Sequence, residues 1–474
     1  MSMALTHEQK VIHFLNRTGF GPTSEEVRKA RRVGIAAYLE EQLHPENIPD
    51  ALIEEKVAAL KTIRLSSREL IELYPQPNAA RQQAMQTGMM AQPQMEGPRV
   101  VILELQQARL LRAIYSRRQL YEVMVDFWSN HFNIFAAKGA DRWLTTAYDR
   151  DTIRPNAMGR FRDLLLATAQ SPAMLFYLDN WMSVSPTIAT ARLGPNNLRR
   201  GLNENYAREL MELHTLGVDG GYTQKDVHEV ARCFTGWTIV RPRGDGRFRY
   251  EPRLHDEGSK TVLGIKIPAG GGMDDGLQVI DLLARHPSTA RFISLKLARR
   301  FIADDPPPSI VNKAAETFRR SSGDIPSVLR TIIDSPEFFS RDAYQGKVKK
   351  PLEFVASALR LTAAETQITR QLLRYLGRMG EPLFLAQPPT GFPDTASSWI
   401  SADMLLTRIN FASDLVNNRI PGTRVTAGDI KEKESIYQMM APDSLSTATR
   451  DALAETEGVQ AMALFMAAPE FQRR

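Results

Sequence analysis

Apolar residues recur three and four positions apart along almost the whole of this chain, and that spacing commits it to helices packed on helices. Thr6 stands where an N-cap belongs, ahead of Val11, Ile12 and Leu15. After Gly19-Phe20-Gly21-Pro22, Thr23 or Ser24 caps a second helix that carries Glu26 in its first turn. Helical periods follow at 34–43, 51–62 and 67–73. Longer ones cover 100–136 and 139–180, with Leu105, Ala108, Leu111, Ile114, Val123 and Phe127 at helical spacing.

Two stretches break the period. Residues 74–98 are rich in Gln, Met and Pro, and predict a flexible excursion or a weakly helical lid. Residues 240–275 alternate instead: Phe248-Arg249-Tyr250 and Thr261 to Ile267 read as short strands, closed by Gly270-Gly271-Gly272. The expectation is a mainly α fold, a large multi-helix globular domain with a small β-hairpin/loop insert around 240–275. Its parts are N-terminal helices (1–73), the excursion (74–98), a central helical core with a polar segment (99–239), the insert (240–275) and a C-terminal helical part (276–474). Together they are read as one continuous globular unit.

Composition narrows the function classes. With 43% hydrophobic and 24% charged residues the chain can bury a core, so disorder throughout is excluded. Sixty Lys and Arg against 54 Asp and Glu leave only +6 over 474 residues. The basic run Arg28-Lys29-Ala30-Arg31-Arg32 sits beside Glu25 and Glu26, as on a solvated helix face, so a nucleic-acid partner is not expected. Cys233 is the single cysteine, which rules out an internal disulfide and a zinc ribbon. Its spacing to Val230 and Phe234 makes it a small buried apolar side chain. No apolar run reaches the ~18 residues of a membrane helix, so no integral membrane association is expected. The N-terminus shows no signal-peptide pattern; the chain as written reads as cytoplasmic, and as exported if a leader has been removed.

Several catalytic signatures are missing. There is no phosphate-binding GxxxxGK[ST] loop and no GxSxG elbow. His228-Glu229-Val230-Ala231-Arg232 starts like a zinc-protease helix but puts Arg where the second His must coordinate. The densest chemistry lies in 203–237. On a helix, Glu204, Arg208 and Glu212 stack at i, i+4 and i+8, with Asn203 and His214 beside them and Tyr206, Leu210 and Leu213 on an apolar stripe. Beyond a glycine-rich link, Thr223 and Asp226 form a capping box ahead of Val227, Val230, Ala231 and Phe234, and Trp237 follows Gly236. One reading is a surface charge ladder worth ~0.3–0.5 kcal/mol per pair. The other turns the carboxylates inward for acid–base work. Two further polar islands are Asn130-His131 among aromatics and His255-Asp256-Glu257-Gly258-Ser259-Lys260 in the insert.

These stretches, taken together, resemble the bacterial family catalogued as domain of unknown function 1800. The likeness is carried by His13 to Thr23, Phe127-Trp128-Ser129-Asn130-His131-Phe132, Asn203 to His214, Tyr222 to Trp237, the His255-Asp256…Lys260 turn and Pro388-Pro389-Thr390-Gly391-Phe392-Pro393…Trp399. The resemblance implies a shared helical fold and a shared polar site, and carries no reaction with it. Many of the similar proteins are exported, which this N-terminus does not match. The chain departs from the family pattern in its 74–98 excursion and at His214, where an aromatic is usual, so no essential role is carried over to His214.

The functional expectation is an enzyme of acid–base hydrolysis or group transfer on a small molecule or a glycan. Glu204, Glu212 and His131 would be catalytic. Asn203, Arg208, Trp237, His255, Asp256 and Lys260 would bind substrate, with Trp237 as a stacking wall. No cofactor follows from the residues, and a divalent metal held by His and Glu is a variant of the same site. The competing expectation is a non-catalytic binding or scaffold protein whose polar segments fix helix packing. The two differ on whether the three polar stretches meet in one solvent-reached hollow. The oligomeric state is not legible in the sequence.

Overall fold

The computed structural model describes residues 4–76, 97–189, 201–426 and 444–474. Several of its helices start where the sequence offers a side-chain acceptor for orphan N–H groups. Thr6, Thr23 and Thr223 each accept from the backbone N–H three residues on, and Gln9, Glu26 and Asp226 reach back to the cap in reciprocal boxes. The helices that follow are His7–Thr18, Ser24–Val33 and Gln224–Cys233. Each such cap is worth about 1 kcal/mol, which fixes where a helix begins more than how stable the fold is.

The long period expected over 100–136 is two helices, Arg99–Tyr115 and Gln119–His131. Asp50 makes the break: its carboxylate accepts from the Ser116 hydroxyl and from Arg117 N (2.9 Å), which diverts the backbone from the helical ladder. The stretch from 139 onward is likewise broken, into Asp141–Ala147, a wide π-type turn at Tyr148–Ile153, Phe161–Ala169 and Pro172–Tyr177. The excursion expected at 74–98 falls almost wholly on 77–96, outside the described residues.

The insert holds two antiparallel hairpins, Trp237–Val240 with Arg247–Tyr250 and Lys260–Val262 with Ile265–Ile267. A third two-residue pair joins Glu365–Thr366 to Thr423–Arg424. The fold is therefore mainly α. One cluster of buried apolar side chains runs from Val11 through Trp128, Phe161, Phe234, Leu297 and Phe354 to Phe471. Within it the helix Arg99–Tyr115 packs against Asp141–Ala147 and Pro351–Leu361. Residues from the first third of the chain thereby meet residues from the last. Among the described residues no helix is long and apolar enough to cross a membrane.

Candidate functional site

The polar helix is Glu204–Met211, capped by Asn203, whose Oδ1 accepts from Asn205 N (3.0 Å) and Tyr206 N (3.3 Å) while its amide donates to Leu178 O. Glu204 accepts from Gln224 Nε2 (2.7 Å) and meets His228 Nδ1 at 3.0 Å. Arg208 donates to Gln224 Oε1 (2.6 Å), and Glu212 accepts from the Tyr222 hydroxyl (2.7 Å). The expected Glu–Arg–Glu ladder is thus not formed: Arg208 reaches Gln224 across the link instead of its own helix neighbours. The helix ends in a π-type turn, Glu212–Leu216, and His214 within it is buried. Burial pushes the His214 imidazole down to about 3.

His131 is buried beneath this turn. Its Nε2 lies 3.1 Å from His214 O, while Nδ1 has no partner. Burial, with the positive Lys296 nearby, holds it well below the usual histidine range, so it is neutral and Nε2–H is the donor to that carbonyl. The rings of Phe127, Trp128 and Phe132 surround it.

The insert residues form a third network. The side chains of His255, Lys260 and Asp275 are fully enclosed: His255 spans Thr235 O (2.8 Å) and Asp275 Oδ2 (3.1 Å), and Lys260 donates to Asp275 and to Asp256 O. Asp256 takes a two-pronged grip from Arg232 (2.9 and 3.0 Å). These contacts pin the insert to the helices Gln224–Cys233 and Asp274–Arg285. Trp237 is not a stacking wall. It is fully buried between Phe234 and Phe248, with Gly276 so close that a Cβ there would lie 2.6 Å from the indole. The expected polar residues are therefore tied up in separate groups, Glu204 with Arg208 through Gln224, Glu212 with Tyr222, His131 with His214 O, and His255 with Asp256 and Lys260, rather than gathered in one hollow. Among the described residues no group of three or more His, Cys, Asp or Glu side chains is placed to hold a metal ion.

A pocket does open nearby; it takes in Asn130 from the polar island at 130–131, while its charged residues are ones the spacing did not single out. It is lined by Arg109, Asp126, Ser129, Asn130, Asn133, Tyr148, Asp149, Lys350, Glu381 and the apolar Ile134, Leu383, Phe384 and Phe392, with a cavity volume of about 40 Å³. Asp126, Ser129 and Asn130 share one face of the helix Gln119–His131 by their i, i+3, i+4 spacing. Arg109, from the neighbouring helix, donates to Asp126 Oδ1 (3.2 Å), Ser129 Oγ (2.8 Å) and Asp149 Oδ1 (2.6 Å). Asp149 belongs to the π-type turn, a local widening that often serves to aim a side chain.

The opposite wall comes from the end of the chain. Lys350 donates to Asp394 Oδ1 (3.0 Å), and Glu381 Oε2 accepts from Leu352 N (2.7 Å) at the start of the helix Pro351–Leu361. Asn130 clasps Phe392 by both backbone groups, accepting from its N–H (2.7 Å) and donating to its C=O (2.9 Å). Gly391 is required beneath that clasp: its φ is +72°, and a Cβ would stand 2.5 Å from the Asn130 oxygens. Phe384 lays its ring under the Arg109 guanidinium, 4.9 Å from its centre, from a left-handed backbone (φ 62°) that a bulky residue rarely adopts.

Charge in this pocket is uneven. Burial and the Asp126 carboxylate push Glu381 up, to about 8, against the pull of Lys350. Although burial opposes it, Asp394, with Glu381 and Asp126, holds Lys350 above the ordinary lysine value. Asp149 stays below its ordinary value because Arg109, Arg154 and Arg112 outweigh its burial. The arrangement therefore places a carboxyl held above its ordinary range beside the Asp126 side chain, Arg109 and Lys350. Asp126 adjoins the Phe127–Phe132 stretch, and Phe392 belongs to the Pro388–Pro393 loop. Glu381 and Arg109 carry no local sign of their role.

A protein-family model described as "Protein of unknown function (DUF1800)" matches residues 13–473. No curated protein and no solved structure matches the chain.

Proposed function

The chain belongs to the DUF1800 family, and we propose that it works as an enzyme whose acid–base chemistry takes place in the Arg109/Asp126/Lys350/Glu381 pocket. The observation that carries this reading is Glu381, a buried carboxyl raised to about 8 beside a second carboxylate in a pocket. Two carboxyl groups in unequal surroundings divide into an acid and a base. Glu381 gives its proton to a leaving oxygen or nitrogen, and Asp126 takes one from the attacking hydroxyl or water. Arg109 and Lys350 hold the developing negative charge, and Phe384 and Phe392 form the apolar rim. The reaction class is hydrolysis or group transfer. A volume of about 40 Å³ admits one functional group of a small molecule, or of a glycan end, and not a whole sugar ring.

The scaffold reading has one observation in its favour: Glu204, Glu212, Asp256, His255 and Lys260 are each satisfied by partners in the protein. We therefore assign those residues to tying the helices and the insert together. The deciding experiment is a titration of carboxyl groups in the intact protein by difference infrared or carbon NMR, comparing wild type with Glu381→Gln. A carboxyl titrating near 8 that vanishes in the variant supports the enzyme; no such group favours the scaffold. Panels of aryl glycosides, esters and amides then seek turnover that Glu381→Gln abolishes and Glu204→Gln retains.

A further inference from the structure

Behind this pocket the fold buries more positive charge than it neutralises. Arg17, Arg300, Arg408 and Arg474 are 0%, 6%, 2% and 3% exposed, and Lys347 and Lys349 are each 4% exposed. The carboxylates that act on Arg17 and Arg474 are Glu353 and Asp304, while Arg408 faces Glu381 and Glu353, and Asp394 lies near Lys347. Glu353 shares its oxygens between Arg300 Nη2 (2.8 Å) and Arg474 Nε (3.0 Å), and Asp304 is taken by Lys347 and by Ala396 N. Lys349 donates to Ser357 and lies over the Phe471 ring, and Arg408 donates to Gln472 and to Lys349 O.

The lysines can shed part of the excess: burial, with the charge of Arg474 beside Lys347 and of Arg408 beside Lys349, brings both down to about 7. The arginines cannot, since guanidinium keeps its proton in proteins. Arg17, Arg300 and Arg474 then share two carboxylates, Glu353 and Asp304, in a buried setting where uncompensated charge is costly. Hydrogen bonding is incomplete in the same place. Arg17 Nε and Nη1, Arg300 Nη1 and Nη2, and Arg474 Nε and Nη1 have no aligned acceptor, although two of them lie within ion-pair distance of Glu353. Arg17 bonds only through Nη2, to Ala343 O. These groups act on one another directly, because Arg474 and Arg300 both depress Arg17.

From these unpaired buried N–H groups we infer that Arg17, Arg300 and Arg474 bind a small inorganic anion such as chloride, sulfate or phosphate. The anion supplies the missing negative charge and accepts from the idle guanidinium edges. Its place also bears on the pocket. Glu353 accepts from Lys350 N (2.9 Å), so the anion steadies the helix start that presents Lys350 and the Leu352 N–H to Glu381. The site stands on its own residues and does not depend on the pocket being catalytic.

The test is ion chromatography of anions released on denaturing the full-length protein after exhaustive dialysis into an anion-poor buffer. It is paired with melting curves in chloride, sulfate and phosphate at fixed ionic strength. The expected result is about one anion per chain in wild type, and a melting midpoint that climbs with the logarithm of that anion's concentration. Both should be lost in Arg17→Met, or in Arg474→Gln if the first variant does not fold. The anion giving the steeper climb identifies the species. Anion content that merely follows the dialysis buffer, without an effect on melting, marks an adventitious ion only and overturns the inference. So does melting that is indifferent to anion identity with nothing released, which leaves the charge balanced within the chain.

Discussion

Glu381→Gln isolates the proposed acid, because glutamine keeps a carbonyl for the Leu352 N–H and cannot ionise. In the folded protein burial and the Asp126 charge raise the Glu381 carboxyl to about 8, against 4.5 for an ordinary glutamate. A gap of that size corresponds to about 5 kcal/mol of preference for the protonated form, at ~1.4 kcal/mol per pH unit. The sign follows from proton counts. Below pH 4.5 both folded and unfolded chains hold the proton, and the stabilising contribution is complete. Between 4.5 and about 8 the unfolded chain releases it while the fold retains it, so rising pH removes stability; above 8 the loss levels off. Urea unfolding at pH 5, 6, 7 and 8 and constant ionic strength should therefore show wild type losing about 4 kcal/mol relative to Glu381→Gln across the series. Asp126→Asn should shrink that difference, since the Asp126 charge is the second cause of the shift. A difference between wild type and Glu381→Gln that stays flat with pH would refute both the raised carboxyl and the acid role built on it.

Three other outcomes are expected. Arg109→Met leaves Asp149 buried without its 2.6 Å partner and should cost about 3–5 kcal/mol in denaturant unfolding, whereas Glu204→Gln, at a half-exposed site, should cost under about 1 kcal/mol. Gly391→Ala should lower the melting midpoint and free the Phe392 loop, seen as faster amide exchange at Phe392, because its Cβ collides with Asn130. His131 and His214 are held neutral by burial, so each adds a loss of up to ~1.4 kcal/mol per unit as pH falls below about 6.5. His214→Phe should flatten that acid limb by one histidine's share in urea titrations between pH 6.5 and 5.

Helix starts were legible because a cap is a local device: Thr6, Thr23 and Thr223 need only the residue three positions on. The hairpins of the insert were legible for the same reason, in the alternation around Phe248 and Val262. The candidate site was not. Arg109, Asp126 and Glu381 each look like an ordinary charged residue, and what joins them is a packing arrangement between segments more than 200 positions apart. The 203–214 segment drew attention because its polar residues are dense along the chain. In the fold, Arg208 and Glu204 spend that polarity on Gln224 and His228 across one link. Trp237 misled in the opposite way: a large aromatic beyond a glycine reads as a surface platform, yet Gly276 leaves the room that buries it.

The first helix, His7–Thr18, has an implication for how the protein is made. His13 is bonded to Phe338 O (2.8 Å), Arg17 reaches Ala343 O, and the segment holding those carbonyls is zipped to the far end of the chain by Arg474 N donating to Lys347 O (2.9 Å). At ribosomal speeds of about 5–20 residues per second, a nascent chain carries Arg17 for some tens of seconds before its partners emerge. The acceptor that satisfies the buried Arg17 guanidinium thus exists only once the segment around Ala343 has been made, so this helix takes up its final hydrogen bonds late in synthesis.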